Sequence, residues 1–354
     1  MRMAGCSEGR ADQGLFDVLN ETTPSGPPPW IAAQTQLLLA QRGHAWLLHG
    51  PSGLGQYGLA MELARAWLCE QPGAGGACGV CGSCHAIDVR THADLSVLMP
   101  ETTLLERGWP LGEKAQTEID DKKRKPSKEI RVDAMRDAVE FSQRTSARGR
   151  GKVVLVFPAE QMNNITANAL LKTLEEPPGD VKFVLASESA HQLLPTIRSR
   201  CLGHAMRWPE TQASQDWLQS RGFDAAQARL LLRAMGGRPE DAAAFGASGR
   251  DPAAWAVLPK AVARGEVGFF KDWTLAQTLD ALHKLCHDLM AVQAGAAPRF
   301  FASNELTGTP SIAALSAWSQ SLSRTMRTVE HPFNAGLMLE ALVGKAQSVL
   351  HSGH

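Results

Sequence analysis

In the N-terminal half of the chain, short apolar runs alternate with stretches of helical spacing. Residues 45–49 (Ala-Trp-Leu-Leu-His), 95–99, 153–157 and 181–186 have the length and apolar content of buried strands. Between them, helical periodicity runs over 59–69, 129–144 and 167–175. This alternation predicts an α/β domain with a largely parallel sheet, because parallel neighbours need a crossover that a helix supplies. The third helix has a hard stop: Leu170, Leu171 and Leu174 share a face, and Pro177-Pro178 forbid continuation.

Beyond Arg207-Trp208-Pro209 the strand-like runs vanish, and Ala, Leu, Gln and Arg dominate. Amphipathic helices fit nearly everywhere there. Gly236-Gly237-Arg238-Pro239 and residues 246–252 break the pattern. The expected organisation is a disordered leader over 1–28, an α/β domain over 29–208, a small helical domain over 209–248 and a helical bundle over 249–354. Residues 105–128 are polar, contain Gly-Trp-Pro and Lys122-Lys123-Arg124-Lys125, and are expected to form an inserted loop.

Composition changes this picture little. With 354 residues, 44% hydrophobic and 20% charged, the chain can build two or three ordinary cores. Lys plus Arg equals Asp plus Glu at 36 each, so overall charge points to no nucleic-acid partner. No apolar stretch is long enough to cross a membrane, and the N-terminal residues do not read as a signal peptide.

The candidate chemistry begins after the first strand. Gly50-Pro51-Ser52-Gly53-Leu54-Gly55-Gln56-Tyr57 lies where a phosphate-binding loop belongs, between strand and helix. Gly50 and Gly55 keep the spacing that bends N–H groups around an anion. Gln56 stands where lysine would meet the phosphates, and Tyr57 stands where a hydroxyl would ligate Mg²⁺. The strand over 153–157 then exits into Pro158-Ala159-Glu160, with no adjacent acids for a metal. Together these changes predict a degenerate site that neither holds ATP usefully nor hydrolyses it.

Four of the seven cysteines, Cys69, Cys78, Cys81 and Cys84, crowd into a glycine-rich loop. The C-x-x-C steps let sulfurs converge on one metal, and four thiolates describe a closed structural zinc site. His85 as a substitute ligand, a redox pair and unligated thiols are the alternatives. Cys6, Cys201 and Cys286 are left as ordinary thiols. Downstream, Arg198 and Arg200 of Thr196-Ile197-Arg198-Ser199-Arg200-Cys201 are solvated surface groups or, for one of them, a group reaching a neighbour's phosphate.

Gln41-Arg42-Gly43-His44-Ala45, residues 167–178, Ser199-Arg200-Cys201 and the four-cysteine loop closely resemble the bacterial clamp-loader AAA+ subunits of DNA polymerase III. Gln56 and Tyr57 place the resemblance in the delta-prime branch, since motor subunits keep Lys and Thr there. It is strong over 29–209 and architectural beyond. It implies an AAA+ domain, a helical lid and an all-α collar that joins a pentameric ring with motor and delta subunits in the cytoplasm. It further implies a rigid stator that helps load the sliding clamp onto primed DNA. Arg200 is then an arginine finger acting in trans on ATP held by a neighbouring motor. A lid arginine senses nucleotide in motors; Glu240 takes that place here, or Arg238 with a shift of two. Two rivals remain open: an active AAA+ motor ATPase, and a zinc-containing DNA-binding protein, which the absence of a basic recognition helix disfavours.

Overall fold

The computed structural model describes residues 26–329 and 334–352. The leader expected over 1–28, except its last three residues, and Cys6 lie outside the described residues. The chain divides into two compact units, 1–213 and 214–354.

The first unit begins with α1 (Pro29–Leu39) and β1 (Ala45–His49), followed by α2 (Gln56–Leu68) and α3 (Gly82–Asp88). Next come β2 (Leu95–Leu98), α4 (Glu101–Glu106), α5 (Glu113–Asp120) and α6 (Val132–Gln143). The unit continues with β3 (Lys152–Val156), α7 (Asn164–Glu175), β4 (Val181–Ser187), the short α8 (Pro195–Arg198) and β5 (Leu202–Ala205). The strands form one parallel sheet in the order β2-β3-β4-β1-β5. Helices cover both faces, which is why β3 is buried throughout and, after Lys152, continuously apolar instead of alternating. Val154 and Val156 pack with Met135 and Ala138 of α6 and with Leu170 and Leu174 of α7. Val153 points the other way, against Ala64 and Leu68 of α2 and Ile87 of α3. Each such fully buried aliphatic side chain contributes about 1.5–3 kcal/mol.

The predicted strands and helices are present, with starts shifted by a few residues. α7 begins at Asn164 because the Asn163 side chain accepts the Thr166 N–H and caps it. One expectation is corrected. Residues 105–128 are not simply a loop: they hold the end of α4 and all of α5. α4 stops in a Schellman turn, in which Trp109 N donates to Leu104 O at 2.8 Å and Gly108 N to Leu105 O at 3.1 Å. Gly108 takes φ +63°, which a side chain would strain.

In the second unit the described ordered elements are helical: the end of α9 (Thr211–Gln219), in which the division falls, then α10 (Ala225–Ala234), α11 (Pro239–Ala247) and α12 (Ala254–Ala263). A short 3-10 turn (Val267–Phe270), α13 (Leu275–Gln293), α14 (Ile312–Met326) and α15 (Ala335–Leu350) follow. Capping boxes at Asp224/Gln227 and Thr274/Gln277 start α10 and α13. Trp255 stacks on Phe301 at 4.9 Å and meets Phe245 edge-on at 5.7 Å, so residues on both sides of position 248 share one aromatic core.

Candidate functional site

The phosphate-type loop follows β1 as its sequence predicts. Gly53 and Gly55 adopt φ +74° and +94°, and Gly55 caps α2. Gln56 is 2% exposed, and its Nε2 donates to Gly50 O at 2.9 Å and Pro51 O at 2.7 Å. Both N–H groups of a side-chain amide are thereby committed to the loop's own carbonyls. A lysine would offer this loop an ammonium for phosphate; Gln56 offers only a tie across it.

Tyr57 is held from outside the loop. Its hydroxyl accepts from Trp109 Nε1 at 2.8 Å. The Arg107 guanidinium lies 4.3 Å from the Tyr57 ring centre and 5.1 Å from that of Phe157, and the two rings are 5.5 Å apart. Phe157 directly follows β3, where metal-holding acids would stand. Glu160, the displaced carboxylate, accepts the Glu188 N–H at 3.0 Å.

The four cysteines converge. Cys69, Cys78, Cys81 and Cys84 bring their sulfurs within 4.8 Å of one another, the single such metal-ligand group among the described residues. Cys69–Cys81 and Cys69–Cys84 are 3.8 Å apart, and Cys78–Cys84 is 4.0 Å. A tetrahedron with Zn–S of about 2.3 Å has edges of roughly 3.8 Å, so the donor set fits a closed four-sulfur metal site. His85 is exposed and outside this group. The Cys84 N–H donated to Cys81 Sγ pulls that thiol down to about 6, and burial pushes Cys84 up to about 12. Burial also raises Cys201 to about 12 and Cys286 to about 11, as suits inert thiols.

A polar network absent from the sequence reading anchors this cysteine loop to the sheet. Arg148 Nη1 donates to Glu70 Oε1 at 2.7 Å, and Ser83 Oγ donates to the same oxygen at 3.2 Å. His92 Nδ1 accepts from Asp94 N, which leaves Nε2–H to donate to Ser83 Oγ at 3.1 Å. Asp94, fully buried before β2, accepts from Ala147 N, Arg148 N, Ser146 Oγ and Lys152 Nζ at 2.8–3.2 Å. Burial alone would raise its pKa, but those donors outweigh it and hold the carboxyl below the usual value.

Arg200 sits where α8 leads into β5, and its guanidinium is occupied. Nε donates to Glu175 Oε1 at 2.6 Å, Nη2 bonds the same oxygen, and Nη1 donates to Thr196 O at 2.8 Å. Arg198 is exposed. In the second unit Arg238 pairs with Asp241 at 2.9 Å, and its Nε donates to Met235 O. The Lys122–Lys125 run is neutralised at its centre: Arg124 reaches Glu118 at 2.7 Å and Glu101 at 2.5 and 2.7 Å, and Lys123 reaches Asp121. No described helix is long and apolar enough to cross a membrane.

A family model described as "DNA polymerase III, delta subunit" matches residues 31–208. The DNA polymerase III subunit delta' of Pseudomonas aeruginosa is 41% identical over 215 residues, covering 60% of this chain and 58% of that one. The Escherichia coli K12 subunit delta' is 35% identical over 224 residues, covering 61% and 60%. The E. coli tau subunit is 36% identical over 166 residues, covering 47% and 22%. The match to the delta' proteins thus spans about three-fifths of their length. Among solved structures, a gamma-subunit-related protein of Thermotoga maritima superposes over 91% of this chain and all of its own, with TM-score 0.48 and 16% identity.

Proposed function

Since this chain belongs to the DNA polymerase III delta-subunit family, we propose that it is a delta-prime-type stator of a bacterial replicative clamp loader. In this reading it hydrolyses no ATP itself. It stands in a cytoplasmic pentameric ring with motor and delta subunits, and the ring loads the sliding clamp onto primed DNA. Residues 29–208 are its AAA+ domain, 209–248 its lid and 249–354 its collar. One structural zinc ion, held by Cys69, Cys78, Cys81 and Cys84, would cross-link the loop between α2 and α3.

The observation that carries this reading is the Gln56 amide, spent on Gly50 O and Pro51 O. A motor would need a cation at that point to offset several phosphate charges. The purified chain is therefore expected to show no saturable binding of a fluorescent ATP analogue with Mg²⁺ in the micromolar range. Micromolar binding with turnover would support the motor reading instead.

Arg200 is the group proposed to act in trans. A guanidinium stays protonated and can meet two phosphate oxygens at once, and that of Arg200 now holds a single carboxylate oxygen of Glu175 through two nitrogens. In the ring, a neighbour's γ-phosphate takes the place of the Glu175 carboxylate. Arg200→Ala should leave folding intact, since a surface ion pair is worth about 0–1 kcal/mol. A finger is worth about 10³-fold or more at its own site. Because the other motor sites keep their own neighbours, the assembled complex should lose ATPase and clamp-loading rate by a smaller factor. Arg198→Ala, on an exposed side chain, is the control. Wild-type loading by the Arg200→Ala complex would refute the finger.

A further inference from the structure

We propose that the turn Arg107-Gly108-Trp109 is the built-in occupant of the ground beside the phosphate loop. It would keep nucleotide out even after the loop's own residues are repaired. The inference rests on reading that loop as a degenerate nucleotide site, and it gives the insertion a task.

A nucleotide-bound metal in a loop of this kind lies between the hydroxyl at the helix start and the acids after the strand. In this chain those two places are Tyr57 and the segment after β3 that opens with Phe157. They are bridged by one cluster: the Tyr57 and Phe157 rings, the Arg107 guanidinium over both, and the Trp109 indole bonded to the Tyr57 hydroxyl. The cluster is not a chance contact of a loose loop. The Schellman turn at Gly108 fixes the backbone of Trp109, and Arg90 Nη1 donates to Gly108 O at 2.8 Å. Trp109 is 9% exposed, so its indole N–H depends on Tyr57 for a partner. A half-buried cation already stacked on both rings would compete with a hydrated metal and its phosphates for this ground.

Full-length chains should be titrated with a fluorescent ATP analogue and Mg²⁺ in three forms. These are wild type, Gln56→Lys/Tyr57→Thr, and that pair combined with Arg107→Ala/Trp109→Ala. The pair should remain a poor binder: losing Tyr57 loosens the turn, but the Schellman bonds and the Arg90–Gly108 bond do not involve position 57 and keep Arg107 over Phe157. The fourfold variant should bind at least about tenfold tighter, a gain of about 1.4 kcal/mol. Equal binding by the pair and the fourfold variant overturns the inference and leaves the stator reading standing. Micromolar binding with turnover by wild type sinks the stator reading, and this inference with it. Tyr57→Phe removes a single hydroxyl and tests the same contact in a chain that needs no rebuilt site. Amide exchange should rise over 105–112 and stay unchanged in β4. No change over 105–112 overturns the inference.

Discussion

The Cys81→Ser chain is expected to lose its metal and to melt at a markedly lower temperature than wild type. Elemental analysis of the native protein should find one zinc per chain, and the variant should hold almost none. The geometry sets the size of the effect. All four sulfurs are within 4.8 Å of one another, so a bound ion has no open position for chemistry, and its binding energy goes into the fold. Structural zinc sites in small peptides bind with about 10–16 kcal/mol at neutral pH, much of it folding energy. If only about 4 kcal/mol of that reached this domain, the midpoint would fall by roughly 8–16 °C, at about 2–4 °C per kcal/mol. A zinc-free native protein of undiminished stability would refute the site.

Asp94→Ala is expected to be the most damaging single substitution outside the cysteines. Four donors converge on this fully buried carboxylate, and one is the ammonium of Lys152, itself 5% exposed. Removing it strands a buried cation and two amide N–H groups, at a cost of about 3–5 kcal/mol. The pH dependence follows from the same donors. The folded carboxyl titrates below its ordinary value of 3.8, so the unfolded chain binds the proton more readily. The contribution of Asp94 is therefore fully present above about pH 4 and is lost as pH falls through the lower folded value. Urea melts across that acid range should show wild type losing stability faster than Asp94→Ala. Parallel pH profiles for the two chains would refute this account.

What the sequence revealed, and what it hid, follows the distance between partners. The strands at 45–49 and 153–157 were legible because a parallel strand buried on both faces must be apolar throughout. The cysteine cluster was legible because its four thiols lie within sixteen consecutive residues, with the spacing written along the chain. Gln56 and Tyr57 were legible as departures from a local pattern, but their partners were only half so. Gln56 ties to Gly50 and Pro51 of its own loop, whereas the Trp109 that binds Tyr57 lies 52 positions away. Residues 105–128 read as a polar loop because α5 is only eight residues long, buries no side chain fully and has just Ala115 and Ile119 as an apolar pair on one face. The Gly108 and Pro110 that punctuate the end of α4 were a usable signal. Asp94 and Lys152 gave none: in sequence each is an ordinary charge at a strand's edge. Arg200 stood out, while its hold on Glu175 did not, since nothing local links a helix's last residue to an arginine 25 positions on.

The way Gln56 is tied also bears on how this protein could change over generations. Substitution by lysine at that one position would remove the tie between Gly50 O and Pro51 O. The new ammonium would then face a loop whose next residue is still a tyrosine bonded to Trp109. The first step back toward nucleotide binding would thus loosen the loop and bring no affinity to offset it. On the proposed stator reading, selection would then act on this subunit's shape and on Arg200 rather than on nucleotide binding.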